Sequence, residues 1–400
     1  MPVLTTGPRD PTGPRHLTLD NGLHLVGVRR PGSPLAALRL RIDIGSADEA
    51  PGEHGLAHVL EHLVVRCSMG GGRVADGALV EAATGRPHTS YDALVRTGDI
   101  ATAGDVLGAA FRQLRPDTRD LADELAAIRR ERAQRTADVR WRVQEAMFAA
   151  LCPDTPYAHP VLGDPRTVDA LTPEDVHRLH SRWYHPSRAT LVIGSDRVDE
   201  ELAALAERAR LWAPGHPRTE SRAAAPPPDG HAVVSEAVGA GRRAVAVGFT
   251  EPGAPCGADA GFALARRSVR AARGIDVLRL RLRSHTCTWV MLAATDEPAA
   301  VRSVAAALRA VRELLLGPDG AALLRTEALI PELRAAEDIQ RSVADATDAT
   351  DATDATDASD ASDRIPASRP TTATGVGELA DAIARWQQGF AAALPEGPAT

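Results

Sequence analysis

Apolar and polar residues alternate along the first part of the chain and later recur at helical spacing. The segments 16–19 and 23–28 alternate on either side of Asn21-Gly22, a pair typical of tight hairpin turns. A third alternating segment, 38–44, predicts another strand. Over 54–66 the apolar residues recur three and four positions apart, which predicts a helix with one buried face.

The rest of the chain mixes both patterns. The sequence predicts a single long helix over 117–151, a helix that begins after the N-cap Thr172 and Pro173, and a buried strand at 189–194. Further strands are expected at 244–249 and 288–293, with helices at 259–272, 298–316 and 377–394. Strands followed by helices in each half predict an α+β protein whose second half repeats the first in a diverged form.

Composition suggests where the domains end. Residues 1–15 are predicted to be a disordered N-terminus and 16–212 the first domain. The Pro- and Gly-rich segment 213–229 is expected to be a linker, and 230–400 a second domain. Within that domain, 344–363 repeats Asp-Ala-Thr with like charges and no bulky apolar residue, so it is predicted to be disordered.

Charge and composition exclude several functions. The net charge is −7 and the chain contains no lysine, which argues against nucleic-acid binding and excludes Schiff-base and Walker-type lysine chemistry. No apolar stretch is long enough to span a membrane. The four cysteines are far apart in sequence and form no CxxC pair, which is typical of a reducing compartment, so we expect a cytoplasmic protein.

The chemistry is concentrated in His58-Val-Leu-Glu61-His62. On a helix, the two histidines lie one turn apart on one face and can bind one Zn²⁺, while Glu61 can accept a proton from a water on that zinc. This is the His-x-x-Glu-His order of inverzincins. A third ligand is expected from four acidic residues spaced seven apart: Glu124, Glu131, Asp138 and Glu145. Most of that stripe is expected to be a solvated face.

The motif lies in a longer stretch that resembles M16 peptidases, the family of insulinase, pitrilysin and the mitochondrial processing peptidase. The resemblance covers about residues 16–196 and includes three segments: Gly45-Ser-Ala-Asp-Glu49, Pro156-Tyr157 and Trp183-Tyr-His-Pro186. It implies two lobes, each a mainly antiparallel sheet with helices on one face, the second lobe being divergent. It also implies one zinc per chain.

The family pattern, a Glu followed seven positions later by the zinc-binding Glu, falls on Glu124 and Glu131. The resemblance therefore implies that His58, His62 and Glu131 bind the metal. It also implies that Glu61 is the general base and that Glu124 is a catalytic-site acid that supports the metal site. The gap after His62 is shorter than the family's, so Asp138 remains the alternative third ligand.

The chain departs from the family pattern in two places. The strand that pairs with substrate in the family is predicted here at 86–90, where Pro87 removes one backbone donor and His88 is expected in a loop or facing substrate. The family often places an Arg and a Tyr in the second lobe, but no tyrosine follows Tyr184, although an Arg-rich run occupies 279–283. Another subunit is therefore expected to supply these groups.

Taken together, the sequence predicts a zinc endopeptidase, similar to the short subunits of bacterial two-chain M16 enzymes, that hydrolyses extended peptides or precursor segments. Its expected partner is a homologous non-catalytic M16-like subunit or a second copy of the chain. The alternative is a catalytically weak or inactive M16-like scaffold or assembly subunit.

Overall fold

The structure is a computed structural model, and it describes residues 14–74, 78–212, 231–239, 242–252, 276–282 and 285–294. These residues fall into two compact units. The first contains the described residues up to Glu131 and those from Pro160 to 212, and the second contains 132–159 and the described residues from 231 onward.

The first unit contains a mostly antiparallel sheet of six strands in the order β1-β2-β6-β3-β5-β4. Only β2 and β6 pair in parallel. The predicted Asn21-Gly22 hairpin is confirmed, because β1 and β2 pair antiparallel across it and Gly22 has a φ of 83°. The strands are β1 (Arg15–Thr18), β2 (His24–Arg29), β3 (Leu35–Ile42), β4 (Val80–Thr84), β5 (Thr89–Arg96) and β6 (Ala189–Ser195).

Seven α-helices lie in the described part of the chain. They are α1 (Leu56–Leu63), α2 (Ile100–Gly108), α3 (Thr118–Ala137), α4 (Val139–Leu151), α5 (Pro165–Asp169), α6 (Pro173–Trp183) and α7 (Val198–Ala209). The predicted start of α6 is confirmed: the Thr172 hydroxyl accepts a hydrogen bond from the Asp175 amide. Within the described ranges, no helix combines the length and apolar character needed to cross a membrane.

The prediction of one helix over 117–151 is wrong. The chain leaves the helical conformation at Asp138, where φ is −76° and ψ is 121°, and α4 begins at the next residue. The Asp138 carboxylate accepts a hydrogen bond from the Arg140 amide, so this side chain caps α4. A short acidic side chain competes well for exposed amides at a helix start, and helical periodicity cannot show this competition.

The core of the first unit lies between the sheet and its helices. Strand residues such as Leu38, Leu40 and Leu191 are fully buried there, and α1 adds Val59 and Leu60. The apolar positions predicted for the 54–66 segment therefore form the core-facing side of α1. This packing fixes the direction in which the polar side chains of α1 project.

The second unit contains an antiparallel sheet in the order β7-β8-β10-β9, on which α4 packs. Its strands are β7 (His231–Gly239), β8 (Arg242–Pro252), β9 (Asp276–Arg281) and β10 (His285–Ala294). The strands predicted at 244–249 and 288–293 are confirmed within β8 and β10. Although distant in sequence, the buried Cys152 and Cys287 lie with their sulfur atoms 3.8 Å apart.

The mixture of helices and mainly antiparallel sheets confirms the predicted α+β class. Several predicted segments lie outside the described residues: the N-terminus as far as residue 13, the 213–229 linker, the Asp-Ala-Thr repeat at 344–363, and the helices at 259–272, 298–316 and 377–394. The domain boundaries stay predictions, except that the first strand already begins at Arg15.

Candidate metal centre

Helix α1 presents His58 and His62 together on one side. Leu56, Val59, Leu60 and Leu63 are buried in the core of the first unit. The two imidazole rings are one turn apart, with centroids separated by 4.7 Å. A single helical turn therefore brings the two imidazoles together, and that they bind a metal stays a prediction.

Glu131, on α3, lies beside both imidazoles. Its Oε2 is 3.3 Å from His58 Nε2 and 3.4 Å from His62 Nε2, and one ligand atom from each of the three residues lies within 4.8 Å of the others. Zinc bonds of about 2.0–2.1 Å in a tetrahedron place neighbouring ligand atoms roughly 3.4 Å apart. Two imidazoles and one carboxylate with this spacing fit a zinc ion that keeps one position open.

The alternative ligand, Asp138, is not in this group. Its carboxylate is used at the start of α4. Asp138 was the alternative because the gap after His62 is short, but the helix ends before it and its side chain caps the next helix. We therefore retain Glu131 as the predicted third ligand.

Glu61 is buried and lies next to the ligand pair without belonging to the ligand group. Its Oε2 accepts a hydrogen bond of 2.7 Å from the Thr84 hydroxyl on β4. One carboxylate oxygen is thereby fixed by the sheet. Nothing in the sequence indicates a role for Thr84, because its contact with Glu61 joins a strand to a helix and leaves no periodic signal.

Glu124 contacts the Nδ1 side of the His62 ring. Its Oε2 lies 3.0 Å from His62 Nδ1, which leaves Nε2 directed towards Glu131. Burial lowers the pKa of His62, but the hydrogen bonds to Glu131 and Glu124 and the charge of Glu61 outweigh burial and raise it to about 9. Without a metal, His62 therefore carries a proton at neutral pH, and a metal ion must displace that proton to bind.

A second buried carboxylate holds the start of α1. Glu49 Oε2 accepts a hydrogen bond of 2.9 Å from the Gly55 amide, and Oε1 accepts one of 2.8 Å from the Ala57 amide. These amides lie at the positive end of the helix, where a carboxylate is favourable. Glu49 belongs to the segment that carried the family resemblance, but only the fold shows that it caps α1.

The strand predicted at 86–90 begins only at Thr89. Pro87 and His88 lie in the turn between β4 and β5, and Thr89 begins β5, which pairs on both sides. In the described chain β4 is the edge strand on the β5 side of this sheet, and β1 is the edge strand on the other side. The Pro87 ring therefore removes no donor from the outer edge. The strand was predicted to start too early because Thr89 matches one position of a family pattern that is otherwise absent there.

A histidine pair and a glutamate on one helix, with a second helix adding a glutamate beside both imidazoles, is the arrangement of the inverzincin class. Residues 25–165 match the family described as Insulinase (Peptidase family M16). An uncharacterized zinc protease of Mycobacterium leprae is 30% identical over 195 residues, which cover 47% of this chain and 44% of that protein. The mitochondrial-processing peptidase subunit beta of Blastocladiella emersonii is 28% identical over 199 residues, covering 47% and 42%.

Solved structures share the fold over most of the chain. A protease from Helicobacter pylori matches with a TM-score of 0.70 at 15% identity, covering 95% of this chain and 93% of that one. A peptidase M16 inactive domain from Pseudomonas fluorescens matches with a TM-score of 0.63 at 14% identity, covering 83% and 87%. At such identities the likeness shows the fold alone. The match with the curated relatives spans less than half of their length. The predicted resemblance to the M16 family is confirmed over residues 25–165.

Proposed function

We propose that this chain is a zinc-dependent endopeptidase subunit of the M16 type, with His58, His62 and Glu131 as metal ligands. The observation that carries the proposal is the position of Glu131 Oε2, within 3.4 Å of both imidazole Nε2 atoms. A bound zinc supplies a Lewis acid that polarises a peptide carbonyl and makes a water more acidic.

In this proposal Glu61 acts as the general base and then as the general acid. Thr84 holds Oε2, so Oε1 is the oxygen that takes the proton from the attacking water and later delivers it to the leaving amine. Glu124 holds the Nδ1 side of His62, and Glu49 holds the first turn of α1. The chain's own residues thus orient the ligands and move the proton.

The proposed substrate is an extended peptide or precursor segment that adds a strand to β4. The Val80 amide donates to Gly72 O, 2.7 Å away, so this residue directs its backbone outward from the sheet. Because backbone direction alternates along an antiparallel strand, Ala82 and Thr84 also direct their amides and carbonyls outward. The Thr84 hydroxyl of this same strand donates to Glu61, so a peptide paired with β4 would run beside the proposed base.

The proposed partner is a homologous non-catalytic M16-like subunit or a second copy of this chain. The three tyrosines all precede residue 185, so the groups that stabilise a tetrahedral intermediate would come from another chain. One relative is itself named as a subunit, the beta subunit of a processing peptidase. The cytoplasmic location expected from the sequence stays a prediction.

The second candidate function is a catalytically weak or inactive M16-like scaffold. The absence of tyrosine after Tyr184 favours it, and one structural neighbour is named as an inactive domain. The complete set of proposed ligands and base favours the peptidase instead.

Glu61→Gln separates the two functions. We expect wild-type protein to bind one zinc per chain and to cleave quenched fluorescent peptides, alone or with an M16-like chain that lacks the motif. The variant should keep its zinc and lose cleavage by about a hundredfold or more, because the base is gone while the ligands remain. Zinc is measured by atomic absorption and cleavage by fluorescence.

The control is Glu200→Gln, which removes an exposed carboxylate on α7. It should change neither readout. Cleavage at the wild-type rate by Glu61→Gln would show that another group is the base. Zinc-loaded wild-type protein that cleaves nothing, with or without the second chain, would favour the scaffold.

A further inference from the structure

Arg66 binds three carboxylates at once. It lies in a π-helical turn, Val64–Ser68, that directly follows α1. Its Nε is 3.1 Å from Asp120 Oδ1, its Nη2 is 2.9 Å from Asp123 Oδ2, and its Nη1 is 3.1 Å from Glu124 Oε1. One guanidinium therefore joins the end of the metal-binding helix to the beginning of α3.

The contact with Glu124 differs from the other two. The Glu124 side chain is 14% exposed, against 35% for Asp120 and 49% for Asp123. Well-exposed ion pairs contribute little, whereas a sheltered carboxylate depends on its partners. Glu124 uses one oxygen for Arg66 and the other for His62 Nδ1, at 3.0 Å. Arg66 is thus linked to His62 through a single carboxylate.

Only one of the two imidazoles receives this support. His58 Nδ1 is buried and has no hydrogen-bond partner within the described residues. Of the two proposed histidine ligands, His62 is therefore the one whose ring is oriented by a carboxylate at Nδ1. A carboxylate that accepts the Nδ1 proton selects the ring form whose Nε2 lone pair is free for a metal.

We propose that Arg66 is a positioning residue for the metal centre and that it acts through Glu124 on His62. Asp120, Asp123 and Glu124 place three negative charges within two turns of α3, and these charges repel one another. The planar guanidinium reaches all three, so Glu124 stays directed at the imidazole instead of turning to solvent. This inference rests on the proposed zinc binding and is independent of peptide cleavage.

The test is the zinc affinity of Arg66→Gln in the full-length protein, measured by competition with a chromophoric chelator. We expect zinc to bind about ten- to hundredfold more weakly, the loss typical when the partner of a metal-binding histidine is removed. Arg66→Lys keeps the charge without the fork geometry, so its loss should be smaller. Melting of the metal-free proteins checks that each variant folds.

Two control variants test whether the effect on zinc affinity is specific to the contact between Arg66 and Glu124. Asp123→Asn removes a carboxylate that contacts Arg66 without touching the imidazole, so zinc affinity should stay within about threefold of wild type. Arg129→Gln breaks an exposed pair with Asp169 elsewhere on α3 and should leave the affinity unchanged.

A double-mutant cycle with Glu124→Gln identifies the route. If Arg66 acts through Glu124, Arg66→Gln should cost no further zinc affinity once Glu124 has been replaced. An equal loss in both backgrounds would overturn the proposal, as would wild-type affinity in Arg66→Gln. Wild-type protein that binds zinc but cleaves no peptide leaves this inference standing and removes the proposed function. Wild-type protein that binds no zinc removes both.

Discussion

Two helices of the first unit each carry a pair of histidines one turn apart, yet the two pairs have different surroundings. On α1, His58 and His62 both direct Nε2 at the Glu131 carboxylate. On α6, His177 Nδ1 lies 3.0 Å from a backbone carbonyl oxygen, that of Leu114. His180 Nε2 lies 2.9 Å from another, that of Ala110.

The surroundings of His62 and His180 shift the pKa values of these two histidines in opposite directions. Carboxylates raise the pKa of His62 to about 9 despite burial, whereas burial lowers the pKa of His180 to about 4. A proton on His62 is stabilised until a metal replaces it, while His180 remains a neutral ring that ties α6 to the carbonyl of Ala110. Histidine pairs on a helix therefore indicate a metal site only when a third group of the right charge meets them.

Glu131→Gln should have the largest effect on the α1 histidine pair. It replaces the carboxylate shared by the α1 pair with a neutral amide, so zinc should bind more than about a hundredfold more weakly and peptide cleavage should be lost with it. Zinc content after dialysis against a weak chelator measures the effect.

Asp138→Asn is the matched control. Asparagine is as good an N-cap as aspartate, so α4 should be preserved and zinc binding should be unchanged. Loss of zinc in Asp138→Asn together with its retention in Glu131→Gln would identify Asp138 as the third ligand.

The next prediction concerns the α6 pair and the dependence of protein stability on pH. Because the pKa of His180 is lower in the folded protein than its usual value of about 6.5, the unfolded chain binds the proton first as pH falls. The resulting loss of stability begins near pH 6.5 and is complete near pH 4, and it amounts to about 3 kcal/mol in the free energy of unfolding. Urea unfolding at pH 7.5 and pH 4.5 measures it.

His180→Gln should reduce this pH dependence. Glutamine can donate to the Ala110 carbonyl but does not titrate, so its stability should fall less than that of wild type between the two pH values. Equal losses in both proteins would mean that other groups govern acid unfolding.

Thr84→Val gives the smallest expected effect. It removes the hydroxyl that donates to Glu61 Oε2 and leaves the ligands untouched. The rate of peptide cleavage should fall about three- to tenfold, because a typical hydrogen bond contributes about 0.5–1.5 kcal/mol net, while the zinc content stays the same.

Thr89→Val is the comparison variant for Thr84. Thr89 is buried on the next strand and donates to the Ile44 carbonyl, 2.8 Å away. Its replacement should lower stability without changing the rate per folded molecule. A rate loss confined to Thr89→Val would refute the assigned contact between Thr84 and Glu61.

Local patterns predicted the elements correctly where the cause was itself local. The Asn21-Gly22 turn, the Thr172 cap and the buried side of α1 follow from the conformational preferences and spacing of neighbouring residues. The helix break at Asp138 was missed because helix-forming residues continue on both sides and only a capping contact decides the boundary. The strand predicted at 86–90 begins only at Thr89 for a similar reason, because pairing partners and not composition select the residues that join the sheet.

The sequence by itself determined that two imidazoles and a carboxylate project from one helix, because residues three and four apart share a helical face. It also indicated Glu131, through the family resemblance. Only the tertiary structure decided that Glu131 reaches both imidazoles and that Thr84 donates to the proposed base. It also decided that Glu124 contacts His62 Nδ1 and that Arg66 contacts Glu124. These contacts join residues more than twenty positions apart, so they depend on how helices and sheet pack, and spacing along the chain does not encode that packing.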